Sequence, residues 1–106
     1  MGDPMRIRAL ARASGIEVRA LIAHPMETGQ RKDDAGAVIP AWYITDVEVR
    51  LNDRPVLKAS WGTAISKDPL LVLHLRRGAA GDRIRISWVD NHGDRRSDEV
   101  AVVSAT

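Results

Sequence analysis

The chain of 106 residues contains no cysteine. Disulfides, thiolate metal sites and cysteine nucleophiles are thereby excluded, and the redox character of its compartment is left open. No apolar run approaches the roughly 20 residues needed to cross a bilayer. The opening residues, Met1-Gly-Asp-Pro-Met-Arg-Ile-Arg8, hold no basic stretch followed by an apolar one, so no secretory signal is read in the sequence as it stands. The dense basic stripe of a nucleic-acid binder is also missing, since the formal net charge is only +2. Between Gly78 and Gly81 there is no Lys-Ser/Thr to build a phosphate loop, and no Gly-x-Ser-x-Gly elbow presents a serine nucleophile.

What is present is a globular composition, 44% hydrophobic, over a length suited to one domain spanning residues 1–106. The basic residues are 13 arginines against 3 lysines, a bias that suits carboxylate recognition and protein interfaces. The hydrophobic pattern has period two almost throughout. Residues 6–12 alternate weakly and end at the Ser14-Gly15 turn. Residues 16–23 place Ile16, Val18, Ala20 and Ile22 on one face. A polar segment, residues 24–38, contains Pro25, Gly29 and Gly36 and exceeds the usual connection length, which marks it as functional or disordered. Residues 41–51 are extended, Asn52-Asp53 forms a tight hairpin turn, and residues 54–60 return. Three more strands are expected at 70–75, 82–90 (Ile84, Ile86 and Trp88 inward) and 98–104. About seven short strands and no helix imply an all-β fold, an immunoglobulin-like two-sheet antiparallel sandwich. Arginines alternating with apolar residues, as in Arg83-Ile-Arg-Ile86, read as a solvated sheet face.

Sites for chemistry are scarce. His24, His74 and His92 lie on separate segments without metal-ligand spacing, and Met26 near His24 does not complete a copper site. His24 reads as the residue that ends a strand before Pro25. The paired carboxylates Asp33-Asp34 and Asp98-Glu99 sit in hydrophilic surroundings, without the shielding that acid–base work requires. No catalytic residue, metal or cofactor is assigned, and an enzyme is disfavoured.

Surfaces are more informative. In the strand beginning at Leu70, Leu71, Leu73 and Leu75 serve the core, which leaves Leu70 and Val72 pointing outward. Residues 41–44 (Ala41, Trp42, Tyr43, Ile44) and 100–103 show the same two-sided apolarity. An apolar face that the core does not use marks a partner surface; the competing reading is a loop laid over these strands.

The run His24-Pro-Met-Glu-Thr-Gly-Gln-Arg-Lys-Asp33 resembles the signature loop of the SoxZ family, and the likeness continues through Ile39-Pro-Ala41, Leu51-Asn52, Ser60-Trp-Gly62, Ile65-Ser-Lys-Asp-Pro69 and Ser87-Trp-Val-Asp-Asn91. It departs from the family pattern at Trp42-Tyr43, where a histidine and an aromatic are expected, and at Leu70, where an aromatic is common. The resemblance implies a non-catalytic subunit of the SoxYZ sulfur carrier complex of thiosulfate oxidation. Its partner would be SoxY, whose C-terminal cysteine carries the sulfur intermediate. Transient contacts with Sox cytochrome, hydrolase and dehydrogenase components would follow, with no nucleic acid and no membrane. Location in the periplasm, by co-export with SoxY, is also implied. The SoxY contact is expected at Ala41, Trp42, Tyr43, Ile44, Leu70 and Val72. The loop residues His24, Pro25, Met26, Glu27 and Arg31 either pin the loop to the sandwich or form a docking surface for visiting enzymes. A stand-alone sandwich binding a metal or small ligand through residues 24–38 is the alternative.

Overall fold

The computed structural model describes residues 2–105 and contains no helix among them. Eight strands follow in order: β1 (Arg6–Arg12), β2 (Gly15–Leu21), β3 (Ile44–Leu51), β4 (Arg54–Ser60), β5 (Leu70–Leu75), β6 (Arg83–Asp90), β7 (Arg95–Ala101) and β8 (Val103–Ser104). They form two four-stranded sheets, β5-β2-β1-β8 and β4-β3-β6-β7, antiparallel except where β8 runs parallel to β1. This is the expected all-β, two-sheet sandwich.

The alternation read in the sequence builds the core. Ile16, Val18 and Ala20 of β2 and, just beyond its end, Ile22 meet Ile84, Ile86 and Trp88 of β6 and Val47 and Val49 of β3, all nearly or fully buried. Leu71, Leu73 and Leu75 pack against this cluster from β5. Two turns set the register. Asn52 and Asp53 adopt φ of 49° and 67°, the primed geometry that matches strand twist. Gly15 has φ of 130°, and a Cβ there would stand 1.9 Å from the carbonyl oxygen of Leu75, so only glycine permits β5 to close against the β1–β2 turn.

Two elements differ from the sequence reading. The expected last strand, 98–104, is two strands on different sheets: β7 pairs with β6, and β8 with β1. Buried Val102 sits at the switch, and the crossing of the chain explains an apolar run that strict alternation reads as two-sided. In β3, pairing with β6 shifts between Ile44 and Asp46. The bulge adds one residue, so Ile44 and Val47, three apart, both point inward.

Candidate functional site

The loop joining β2 to β3 leaves the sheet beside the segment before β5. His24 N–H donates to Asp68 Oδ1 at 3.0 Å, and the His24 carbonyl accepts from Asp68 N–H at 2.9 Å. This pairing turns the His24 side chain inward, where the residue is 3% exposed. There His24 Nδ1 accepts the Met26 N–H at 3.0 Å, and Nε2 lies 3.0 Å from Asp90 Oδ2. A nitrogen that accepts an N–H carries no proton, so the bonding network assigns the proton to Nε2, which donates to Asp90.

Asp90 closes β6 and is buried. Its Oδ2 also accepts Trp42 Nε1–H at 2.8 Å, and its Oδ1 accepts the backbone N–H groups of His92 and Asp94, both at 2.9 Å. Burial pushes this carboxyl up, but the bonds from His24, Trp42 and the two backbone amides outweigh it and hold the group below the usual carboxylate value. Rings complete the cluster. His24 meets Trp42 and Trp88 edge-on, with centroids 5.4 and 5.2 Å away, and Trp42 stacks on His92 at 4.9 Å. Met26 sits at φ 48°, an uncommon conformation for a side chain of its kind. Its N–H bond to His24 and the Ile44 N–H directed at its sulfur, 3.4 Å away, hold it there.

Beyond this clasp the loop is knitted to itself and to the next segment. Glu27 and Trp42 exchange backbone bonds in both directions, at 2.6 and 3.0 Å. Arg31 grips Glu27 bidentately, its Nε 3.1 and 3.2 Å from the two carboxylate oxygens and its Nη2 2.8 Å from Oε1. The Arg31 guanidinium is the main reason that the Glu27 carboxyl lies below its usual range. Asp33 Oδ1 accepts the N–H groups of Ala35 and Ala37. Asn91 fastens the strand entry, donating to the Ala41 carbonyl and accepting from Tyr43 N–H. The ten-residue loop run and the Trp-Val-Asp-Asn run, far apart in sequence, are thus one bonded unit.

Several expectations need correction. His24 is not simply a strand end; it is the hub of the clasp. Met26, 5% exposed, offers no docking surface, because its side chain fills the core. Of the loop residues, Arg31 is exposed, and its ion-pair partner Glu27 is half-buried, as is Pro25. Ile44 is fully buried by the β3 bulge and belongs to the core rather than to a partner surface. Ala41, Trp42 and Tyr43 are half-buried, so the domain itself uses much of their surface. Leu70 and Val72 point outward, 57% and 51% exposed, on edge strand β5. A shielded carboxylate exists after all: it is Asp90, which sequence reasoning passed over. The signal was its place inside the Trp-Val-Asp-Asn run. Among the described residues no group of three or more His, Cys, Asp or Glu side chains is placed to hold a metal ion. Both ring nitrogens of His24 are already engaged.

The profile of the family described as "Sulphur oxidation protein SoxZ" matches residues 5–101 of the chain. A comparison with curated proteins gives no match.

Proposed function

The chain belongs to the SoxZ family and so has a role in the Sox sulfur-oxidation system; from that premise we propose that it is the non-catalytic half of a sulfur carrier complex, pairing with the cysteine-tailed SoxY. A chain without a thiol cannot itself form the covalent sulfur adduct, so the carrier group has to come from a second subunit. The work of this chain is to hold that subunit and to present it to the cytochrome, hydrolase and dehydrogenase components in the periplasm.

The observation that carries the reading is the apolar exposure on the first sheet. Leu70 and Val72 stand outward on β5, an edge strand whose far side pairs with no strand among the described residues. Leu70 lies directly opposite Leu21 on β2, itself 43% exposed. Apolar side chains grouped on a flat face beside an open edge favour a protein partner. The clasp supports the same division of labour: the polar side-chain groups of His24, Trp42 and Asp90 are engaged by one another and by backbone amides, which suits a rigid frame rather than an active site. Trp88 Nε1 is the one buried side-chain donor among the described residues left without a partner.

Val72→Asp tests the contact. Truncating or charging a well-buried anchor costs about 2 kcal/mol or more of binding. The variant should fold normally, because residue 72 is outside the core, yet bind SoxY at least about tenfold more weakly in a titration of the purified pair. Unchanged affinity would place the contact elsewhere.

A further inference from the structure

The two outer faces of the sandwich differ in how their charges are balanced. On the second sheet most basic side chains are matched: Arg50 and Lys58 share Glu48, Arg83 and Arg85 share Glu99, and Arg96 pairs with Asp98, which leaves Arg54 and Arg95 without an ion pair among the described residues. Ser87 and Ser97 bond to each other between them. This is the solvated face that alternating arginines suggest.

The outer face of the first sheet is built otherwise. β1 presents Arg6, Arg8 and Arg12, and β2 presents Arg19, against the single carboxylate of Glu17. Glu17 is engaged by Arg19 at 2.8 Å and by Arg12 at 3.4 Å. Arg6 and Arg8 have no ion-pair partner among the described residues. Arg8 also stands directly opposite Arg19 in the β1–β2 register, a like-charge cross-strand pair that disfavours the free sheet. Between Arg8, Arg12 and Arg19 lies a surface depression of about 250 Å³, floored by Leu10 and bordered by Glu17.

Apolar exposure is concentrated on the same face. Leu21, Leu70, Val72 and Val103 are 43%, 57%, 51% and 54% exposed; register puts Val72 opposite Arg19 and Leu21 opposite Arg6, with Leu70 opposite Leu21 and Val103 opposite Leu10. A face that mixes bare apolar side chains with unmatched guanidinium groups is complete only when something apolar and acidic lies on it.

We propose that the outer face of the first sheet receives a partner-protein surface of interleaved apolar and carboxylate side chains, with a carboxylate seated in the Arg8–Arg12–Arg19 depression. The inference rests on the reading that Leu70 and Val72 contact SoxY, and it extends that contact across β2 to β1. Arginine is suited to the role because its planar fork grips a carboxylate with two hydrogen bonds and is weakly hydrated. The apolar residues distinguish a protein surface from a nucleic acid, whose backbone would leave them uncovered. The charge on Arg8 would then be a specificity device: it disfavours the free face and is neutralised only by the right partner.

Arg8→Glu decides the matter, measured beside Val72→Asp in the full chain. The glutamate would face Arg19 and relieve the like-charge pair, so the free chain should melt no lower than the parent. Affinity for SoxY should nevertheless fall about tenfold or more, and its dependence on salt concentration should flatten as a charge pair is lost. If Arg8→Glu binds SoxY with unchanged affinity and salt dependence while Val72→Asp is weakened, the extension to β1 is wrong and the Leu70–Val72 contact stands. Normal binding by both variants removes both. Should Arg8→Glu melt lower than the parent, Arg8→Gln replaces it, with weakened, salt-insensitive binding expected and unchanged binding overturning the proposal. Tighter binding of the parent chain to phosphatidylglycerol vesicles or to duplex DNA than to SoxY would also overturn it.

Discussion

Replacing Asp90 with asparagine removes one charge and leaves the outline of the side chain intact. The consequences follow from the bonds that converge on it. Oδ2 accepts from His24 Nε2–H and Trp42 Nε1–H, and Oδ1 from the amides of His92 and Asp94. An amide accepts on one side only. Whichever way the substituted side chain turns, two donors will face its NH2 group. With its oxygen kept toward the ring donors, the stranded pair is the backbone N–H groups at the β6–β7 turn. A buried donor left without a partner costs about 1–3 kcal/mol, and the remaining bonds lose their charge assistance. Partial access of water to the turn reduces the sum, giving a loss of about 2–4 kcal/mol. For a domain of this size that lowers the melting temperature by roughly 10 °C or more. The acid dependence supplies a second readout. The folded Asp90 carboxyl lies below its ordinary value of 3.8, so its stabilising contribution is fully present above that value and is lost as pH falls through the folded one. The parent chain should therefore lose stability in the acid range below about pH 4, and the gap between parent and Asp90→Asn should narrow there. Thermal melts by circular dichroism at neutral and acid pH measure both, with exposed Asp34→Asn as a control. A melting temperature within about 3 °C of the parent at neutral pH would refute the view that the clasp holds the loop.

Ile44→Ala should cost about 2–4 kcal/mol in denaturant unfolding, as expected for a fully buried side chain, whereas Leu70→Ala should be close to neutral in the free chain; equal effects would contradict the β3 bulge. Arg31→Ala should leave the melting temperature of the pair with SoxY nearly unchanged, because the Arg31 side chain is exposed and a pair at the loop surface contributes little. Slowed processing of that pair by a Sox enzyme would then assign the loop tip to docking, and unchanged processing would remove Arg31 from that role.

The strand content, the two hairpin turns and the inward residues of β2 and β6 were legible in the sequence, because alternation and turn chemistry are local properties and a half-buried strand has to display them. The outward placement of Leu70 and Val72 was legible for the same reason, since Leu71, Leu73 and Leu75 claim the opposite face. Kinship was legible as well, carried by the ordered runs 24–33 and 87–91. Tertiary structure decided the rest. A bulge leaves no mark in the hydrophobic pattern until the partner strand is known, so Ile44 reads as outward and lies in the core. The passage of residues 95–104 from one sheet to the other depends on which strands stand free to pair, β6 and then β1, and no local preference encodes it. His24 and Asp90 lie 66 positions apart and have ordinary neighbours; only closure of the sandwich removes water from both and makes one the obligatory partner of the other. The same holds for charge. Arg8 and Arg85 sit in alternating strands of like composition, and the fold alone gives Arg85 a share of Glu99 and sets Arg8 against Arg19.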